Sequence, residues 1–360
     1  MKYLFLSVIL FAFVSCQEEK AEIDRSKTDW VTYKLEGNVK SVSEKSYQML
    51  ESGVADTTNI AHEIRSAHNL DIEFNDEGMV ISEKKWKRNG KPFEEIKYEG
   101  KDKVVQRTQY IDGKASIITK YAYNSYNNNT TVTRRKPDNK QIDKIVKSYN
   151  ADKLDEQKTF NNDNKGIDRV TYAYDKNGNL IGENLYLGTE AVQYKNVYEY
   201  DDNGKKTSDI RYNKDSEIVY KTLFEYDGDK ISVRETTNGD GEVEYIEKFT
   251  YDDKGNVTVK STYEKYDDSE TTDKFRYDEK GNKISWVIDK NGVEIMKAEY
   301  TYDDKSNLTL IQTYYGDKLS ETEERSYTYE YDDKGNWIKK KVSINNKPEF
   351  IVERKITYFK

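Results

Sequence analysis

The chain has 360 residues, of which 35% are hydrophobic and 35% are charged. Its 59 basic and 67 acidic side chains are finely interspersed, so the net charge of -8 describes a solvated surface and argues against nucleic acid as a partner. A single cysteine and two histidines, His62 and His68, exclude a disulfide framework and predict no metal and no other cofactor. The 31 tyrosines favour sheet, because tyrosine suits half-buried strand faces.

The first predicted element, residues 1–15, is a lipoprotein signal peptide with the sequence MKYLFLSVILFAFVS. Its single basic residue precedes an apolar run that is too short for a membrane-spanning helix of about 20 residues. Val14-Ser15-Cys16 resembles the lipobox of bacterial lipoproteins, in which the cysteine becomes the acylated first residue. The resemblance implies lipidation at Cys16, the membrane as a partner, and a lipid-anchored location at the outer membrane or cell surface. The alternative is an ordinary secretory signal with an incidental cysteine.

Two short regions follow the signal. Residues 16–29 are polar and acidic and are predicted to be a flexible tether. Gln17-Glu18-Glu19 also resembles the export signal of surface-exposed lipoproteins in bacteroidete-type bacteria. Residues 30–73 are predicted to hold N-terminal cap strands with an irregular insert. In this region Leu35 to Leu50 alternates as a strand, and TTNIAHEIRSAHNL is expected to hold a short helix or an edge strand.

From Phe74 to the C-terminus the sequence repeats. An aromatic residue followed by a turn recurs at intervals of 24 to 29 positions. Periods of this length are typical of one supersecondary unit copied many times. These twelve residues are called corner aromatics below, and they are Phe74, Tyr98, Tyr123, Tyr149, Tyr174, Tyr200, Tyr226, Tyr251, Tyr277, Tyr302, Tyr331 and Tyr358.

Each repeat is predicted to contain two strands and two turns. Apolar and polar residues alternate before each corner aromatic, which indicates a strand with one apolar face. The Asp-x-x-Gly-Asn that often follows supplies an aspartate that bonds its own backbone and a glycine for a left-handed position. Twelve copies predict an all-β antiparallel meander of about 24 strands over residues 74–360. A flat sheet of that size would be about 115 Å wide, so we expect a coiled or superhelical extended sheet.

The repeats resemble a known family. YAYDKNGNLIGEN, FTYDDKGNVTVKS and YTYDDKSNLTLIQ are similar to the YD repeats of the RHS family, whose members form spiralling antiparallel β-shells. The family's longer arrays can enclose a toxin domain, but the last repeat here ends in ITYFK, so we expect no such cargo. The resemblance leaves open whether the sheet closes into a hollow shell or stays an extended single layer.

Two candidate sites follow from the repeats. Asp175 to Asn179 begins like a calcium loop, but the bidentate glutamate of such loops is missing, so turn chemistry is the preferred interpretation. The other candidate is a row of rings, here called the ladder, two residues before successive corner aromatics. Its members are proposed to stack against a ligand, although core packing of the same rings is the simpler use. The ladder consists of Tyr172, Tyr198, Phe224, Phe249, Phe275, Tyr300 and Tyr329.

No residue pattern selects a catalytic group, because the 67 acidic residues allow many carboxylate pairs and nothing distinguishes one of them. The sequence therefore predicts a lipid-anchored, non-catalytic binding or scaffold module of the cell envelope with a glycan or protein ligand. One alternative is a carbohydrate-active enzyme or an accessory protein of glycan capture. A second alternative is an immunity lipoprotein that binds a toxin.

Overall fold

The computed structural model describes residues 23–50, 52–60, 69–188, 190–316 and 321–360. The predicted signal peptide, the proposed lipidation site Cys16 and both histidines lie outside these residues. Within the described ranges, no helix combines the length and the apolar character needed to cross a bilayer.

The chain begins with a short folded segment and continues as 25 strands. A 3₁₀ turn at Arg25–Lys27 and helix α1 at Asp29–Thr32 precede the first strand, so part of the predicted tether is folded. The strands are β1 Val39–Met49, β2 Ala55–Ile60, β3 Asn69–Phe74, β4 Val80–Trp86, β5 Pro92–Tyr98, β6 Val104–Ile111, β7 Lys114–Tyr123, β8 Asn129–Arg135, β9 Gln141–Asn150, β10 Lys153–Phe160, β11 Gly166–Tyr174, β12 Leu180–Leu187, β13 Val192–Tyr200, β14 Lys206–Asn213, β15 Ile218–Asp227, β16 Lys230–Asn238, β17 Val243–Tyr251, β18 Val257–Glu264, β19 Ser269–Tyr277, β20 Lys283–Lys290, β21 Val293–Tyr302, β22 Leu308–Tyr315, β23 Glu321–Tyr331, β24 Trp337–Ile344 and β25 Lys347–Tyr358.

The predicted repeat unit is confirmed. Every corner aromatic lies at or next to the end of an odd-numbered strand from β3 to β25, and the return strand pairs with it in antiparallel register. Along β17, Phe249 and Tyr251 are half-buried while Thr250 between them is exposed, which is the two-residue period of a strand with one covered face. This covered face, which carries the ladder and the corner aromatics, is called the tyrosine face below.

The expectation of a coiled or superhelical extended sheet is wrong, because the sheet closes on itself. β1 pairs with β25 through nine residues, from Val39 opposite Tyr358 to Gln48 opposite Phe350. Its other edge pairs with β3 and, further along, with β2. The meander from β3 to β25 therefore joins both of its ends to β1 in a ring of 24 strands, and β2 stands beside the ring. Closure removes the two unpaired edges that an open sheet would expose.

The register around the ring advances by about one residue per strand, which corresponds to a strand tilt of about 36°. With about 4.8 Å between strands, a circular ring of this size would be about 45 Å in diameter. The wall is one sheet thick over most of its length. Between Ile96 and Tyr327, the described apolar side chains that are buried are Ile210 and Ala298.

The largest cluster of buried side chains lies where the ring closes. Trp30 is 0% exposed and packs against Phe74, with 6.5 Å between the ring centroids. Its indole nitrogen donates a hydrogen bond to the carbonyl oxygen of Val39 at 2.8 Å. Leu35, Val42, Ile72 and Val80 complete this cluster. The region predicted to cap the first repeat thus seals the first repeat against the last.

The meander gives the wall two different ends. The turns after the corner aromatics lie at one end, here called the corner rim, together with the N-terminal segment, whose Asp29 carboxylate accepts a hydrogen bond from the backbone N–H of Val80. The second turns of the repeats lie at the opposite end, here called the far rim. Strands of about eight residues at this tilt separate the two rims by roughly 20 to 25 Å.

Candidate functional site

The Asp-x-x-Gly corners use their aspartates to build the turn. In the corner after Tyr251, Asp252 Oδ1 accepts hydrogen bonds from the backbone N–H groups of Lys254 and Asn256, and Oδ2 accepts from Asn256 Nδ2 at 2.9 Å. These bonds hold the pKa of Asp252 below its usual value. Gly255 takes the left-handed conformation at φ +92°. Both carboxylate oxygens therefore have partners within the turn, which agrees with the interpretation of these motifs as corners.

The corner aromatics connect each repeat to the one before it. The hydroxyl of Tyr226 donates to the carbonyl oxygen of Lys206, the first residue of the preceding return strand, at 2.9 Å. The same bond, at 2.7 to 3.0 Å, is made by Tyr123, Tyr149, Tyr174, Tyr200, Tyr251, Tyr277 and Tyr302. The tyrosine of the repeat is thus a structural hydrogen-bond donor, which explains its periodicity without a ligand.

Lysines of the corners reinforce these connections. Lys305 Nζ lies 4.3 Å from the centroid of the Tyr331 ring and donates to the carbonyl oxygen of Gly335 in the next corner at 3.0 Å. Lys230 stands over Tyr251 in the same way, at 4.9 Å. Lys205 combines both contacts as Lys305 does, with its Nζ over the Tyr226 ring and a hydrogen bond to the carbonyl oxygen of Gly228, so some neighbouring corners are linked by lysines.

The seven ladder rings all lie half-buried on the tyrosine face, two strands apart. One side chain from the return strand separates each ring from the next, so the rings do not form a stack. These cross-strand partners of the ladder, in order from Tyr172 to Tyr329, are Glu183, Asp209, Arg234, Lys260, Trp286, Ile311 and Lys340.

Packing inside the wall already uses several ladder rings. Phe275 stacks on Trp286 at 6.2 Å, and Phe249 stacks on the neighbouring Tyr251 at 6.5 Å. Lys206 Nζ lies 4.2 Å from the centroid of the Tyr198 ring. Tyr172, Phe224 and Tyr300 make no ring or cation contact with the described residues and are the ladder members best able to meet a ligand. We therefore place the candidate site at the Tyr172 end of the ladder.

A polar network surrounds Tyr172. Glu183, its cross-strand partner, accepts hydrogen bonds from the Tyr198 hydroxyl at 3.1 Å and from Asn196 Nδ2 at 3.0 Å. Arg211 Nε in turn donates to Asn196 Oδ1 at 3.0 Å. Burial and the nearby Glu183 carboxylate raise the pKa values of Tyr172 and Tyr198, so both hydroxyls remain protonated donors.

Asp209 lies on the same face as this network and has one carboxylate oxygen without a partner. It is the cross-strand partner of Tyr198, and its Oδ1 atom is buried without a hydrogen-bond partner among the described residues. Burial raises the pKa of the Asp209 carboxyl and Glu183 adds to this effect, while Lys206 and Arg211 oppose it. A buried carboxyl oxygen normally has a partner, so Asp209 marks a position where a ligand hydroxyl could bind.

A groove on the opposite face of the wall was not predicted from the sequence. It lies at the far rim beside β10, β11 and β12, with a volume of about 400 Å³. Arg169 lies 4.0 Å from the centroid of the Tyr186 ring and forms salt bridges with Glu156 and Glu190 at 3.5 and 3.4 Å. Phe160 lines the same groove. The two-residue alternation along a single strand could not predict this groove, because its side chains come from three strands and a turn.

Across the part of the chain that the structure describes, no three histidine, cysteine, aspartate or glutamate side chains gather in a way that could hold a metal ion.

The fold and the site together define a class, a closed antiparallel β-sheet protein built from about twelve hairpin repeats. No protein-family model matches the chain, and no curated protein matches it. The Photorhabdus luminescens Tc holotoxin pore aligns at 11% identity over 82% of this chain and 20% of that chain, with a TM-score of 0.34. This chain thus spans about a fifth of the length of that toxin chain.

Porin-like proteins of two Bacteroides species are also among the similar structures. The protein from Bacteroides uniformis aligns at 14% identity over 59% of this chain and 95% of that chain, with a TM-score of 0.25. The protein from Bacteroides vulgatus aligns at 11% identity over 75% and 95%, with a TM-score of 0.20. Both similarities are weak.

Proposed function

We propose that the chain is a lipid-anchored, non-catalytic binding module of the bacterial cell envelope, with a glycan as the ligand. The acyl anchor would be attached at Cys16, and the protein would stand at the outer membrane or cell surface. The observation that carries the proposal is that the tyrosine face presents the half-buried Tyr172 ring beside Glu183 and, three strands away, the unpartnered Asp209 Oδ1 atom beside Tyr198. Sugars present apolar ring faces and hydroxyl groups, and a half-buried tyrosine beside carboxylate, amide and guanidinium groups complements both.

The surrounding wall supports a binding role. The ring is closed, and the hydroxyls of Tyr123 to Tyr302 bind the neighbouring repeats, so the side chains of the tyrosine face are held by a rigid sheet. Glu183 is further fixed by Tyr198 and Asn196. A site whose polar groups are already oriented loses little entropy when the ligand binds.

Glycan binding is tested on residues 17–360, which lack the proposed signal peptide and Cys16. We expect binding on a glycan array, followed by titration calorimetry with the best ligand. Tyr172→Ala and Asp209→Asn should each weaken this binding about tenfold or more, because they remove the ring and the free carboxyl. Phe249→Ala is the matched control, since Phe249 occupies the same ladder position but already stacks on Tyr251. Failure to bind any glycan, or equal losses in all three variants, would contradict the proposal.

The anchor is tested separately in whole bacteria. Labelled palmitate should be incorporated into the full chain but not into a Cys16→Ser variant. Proteolysis of intact cells should then remove the protein if it faces outward. A soluble, unlabelled full chain would leave glycan binding possible but would disprove the membrane attachment.

A glycan-processing enzyme is the second candidate, favoured by the same aspartate. Asp209 has a raised pKa and stands two strands from the Glu183 carboxylate, so one acid and one carboxylate share the tyrosine face. Product formation from a bound glycan that is abolished by Asp209→Asn, with binding retained, would favour this candidate. Binding without turnover favours the module.

A further inference from the structure

The exposed apolar side chains of the protein are concentrated at one end of the wall. Eighteen large hydrophobic side chains are exposed in the described residues. Twelve of them lie in or beside the turns of the far rim, with Tyr266 99% exposed, Ile111 63% exposed and Val54 61% exposed. Isolated exposed apolar residues are ordinary, but a ring of them marks an interaction surface. The far-rim residues are Leu50, Val54, Phe93, Ile111, Ile167, Leu187, Tyr194, Ile218, Val219, Tyr266, Val293 and Tyr315.

The corner rim differs in both polarity and charge. Its exposed large apolar side chains in the described residues are five, Ile23 and Val31 of the N-terminal segment and Ile81, Tyr126 and Ile181 beside the corners. Repeated corners such as Asp252-Asp253-Lys254 carry two acids for each base, so this rim has an excess of negative charge.

Several charges at the far rim are paired with one another across neighbouring turns. Lys265 binds Glu242 at 2.6 Å, and Lys290 binds Asp267 at 3.2 Å. Lys91 lies 3.9 Å from Asp112 in the same way. A rim whose charges are paired internally presents little net repulsion to an identical rim.

The dimensions of the rim suit a copy of the same chain. A ring about 45 Å across and about 10 Å thick offers roughly 1,400 Å² per copy, or about 2,800 Å² when two rims meet. Stable dimer interfaces bury about 1,200 to 2,000 Å² or more in total. A second closed ring of the same diameter is the partner that covers the whole circumference at once.

We propose that the far rim is the interface of a homodimer in which two copies meet rim to rim. The two-fold axis is perpendicular to the axis of the rings, so each far rim meets the other copy's far rim in an isologous contact. The two corner rims, with their acidic turns and N-terminal segments, then point in opposite directions. The dimer encloses one continuous space between two rings of 24 strands.

Sedimentation velocity of residues 17–360 at rising concentration tests the proposal. We expect a species of about twice the chain mass, where the full chain is 42.3 kDa. The variant Ile111→Lys, Leu187→Lys, Val293→Lys places new positive charges on both facing rims and should weaken association about 100-fold. The matched control carries the same number of apolar-to-lysine changes on the corner rim, Ile81→Lys, Tyr126→Lys and Ile181→Lys, and should remain dimeric.

Circular dichroism and thermal melting establish that both triple variants keep the sheet. A wild-type chain that stays monomeric at 100 micromolar, or a far-rim variant that dimerises like the wild type, overturns the proposal. Binding of a monomeric wild type to phosphatidylcholine or phosphatidylglycerol vesicles, lost in the far-rim variant, would assign the rim to a membrane and also overturn it. These outcomes are independent of glycan binding at Tyr172, which lies on the tyrosine face.

Discussion

Glu36 and Asn336, 300 positions apart in the chain, are joined by two hydrogen bonds. The backbone N–H of Glu36 donates to Asn336 Oδ1 at 2.7 Å, and Asn336 Nδ2 donates to the carbonyl oxygen of Glu36 at 2.9 Å. Asn336 also donates to the hydroxyl of Tyr358 at 2.7 Å. A corner asparagine of the last complete repeat therefore fastens the N-terminal segment to the final strand, at the joint where the ring closes.

The joint should depend on Asn336 more than an ordinary corner depends on its asparagine. Asn336 is buried, and Asn336→Ala removes its bonds to two Glu36 backbone groups and to the Tyr358 hydroxyl, so we expect the free energy of unfolding to fall by about 2 to 3 kcal/mol. Asn256→Ala is the control, because its side chain bonds only Asp252 in its own corner, and the expected loss is about 1 kcal/mol. Urea unfolding measures both. Equal losses would show that the joint is no more sensitive than a corner.

The hydroxyl of a corner tyrosine should contribute to stability by itself. Tyr226→Phe removes the 2.9 Å bond to the Lys206 carbonyl and keeps the ring, so we expect a loss of about 1 kcal/mol in the free energy of unfolding. Tyr220→Phe is the matched control, since that hydroxyl has no hydrogen-bond partner among the described residues, and should change stability by less than about 0.5 kcal/mol. The midpoints of urea unfolding of the two variants measure this difference. A Tyr226→Phe variant as stable as the wild type would contradict this role.

Two corner glycines with the same backbone conformation should respond differently to alanine. Gly78 has φ +82°, and a Cβ atom there would lie 2.7 Å from the Trp30 ring. Gly281 has φ +84° and open space around it. We expect Gly281→Ala to cost about 1 kcal/mol through backbone strain alone and Gly78→Ala to cost about 3 kcal/mol or more, because the buried Trp30 must move. Thermal unfolding followed by tryptophan fluorescence tests the difference. Similar melting temperatures for the two variants would mean that the N-terminal segment can move away from residue 78 at little cost in stability.

Stability should decline at alkaline pH through two half-buried corner tyrosines. Burial and hydrogen bonds to Asp303 and Asp332 raise the pKa values of Tyr331 and Tyr358 to about 12, from an ordinary value of 10.0. Between about pH 10 and pH 12 the unfolded chain loses these protons first, so the stabilisation present below pH 10 is lost as the pH rises through the folded-state pKa. Urea unfolding between pH 9 and pH 12, with phenolate absorbance recorded in parallel, measures the decline.

The control for this pH dependence is the double variant Tyr331→Phe, Tyr358→Phe. It should be less stable than the wild type at pH 8 but should lose less stability over the alkaline range. A wild-type free energy of unfolding that stays constant up to pH 12 would show that these hydroxyls are not held in their protonated form by the fold.

Much of the local structure was predictable because it repeats. The position of every corner aromatic, the strand that precedes it and the turn chemistry of Asp252 and Asn256 follow from backbone rules that act over a few residues. The ladder was placed on the covered face for the same reason. Which ladder rings are already in contact was not predictable in the same way, since Trp286 and Lys206 reach Phe275 and Tyr198 from neighbouring strands.

The sequence by itself determined the unit of this protein: a hairpin of about 25 residues, its corner aromatic, its glycine-bearing turn and the face that each strand covers. Only the tertiary structure decided that the units close into a ring, because closure depends on the pairing of β1 with β25, whose residues are more than 300 positions apart. Tertiary contacts likewise isolated the Asp209 carboxyl and gathered the exposed apolar side chains on one rim. Sequence periodicity predicts how a strand pairs with the next strand. Closure depends on the tilt and register summed over 24 strands, which set the position of the last strand relative to the first.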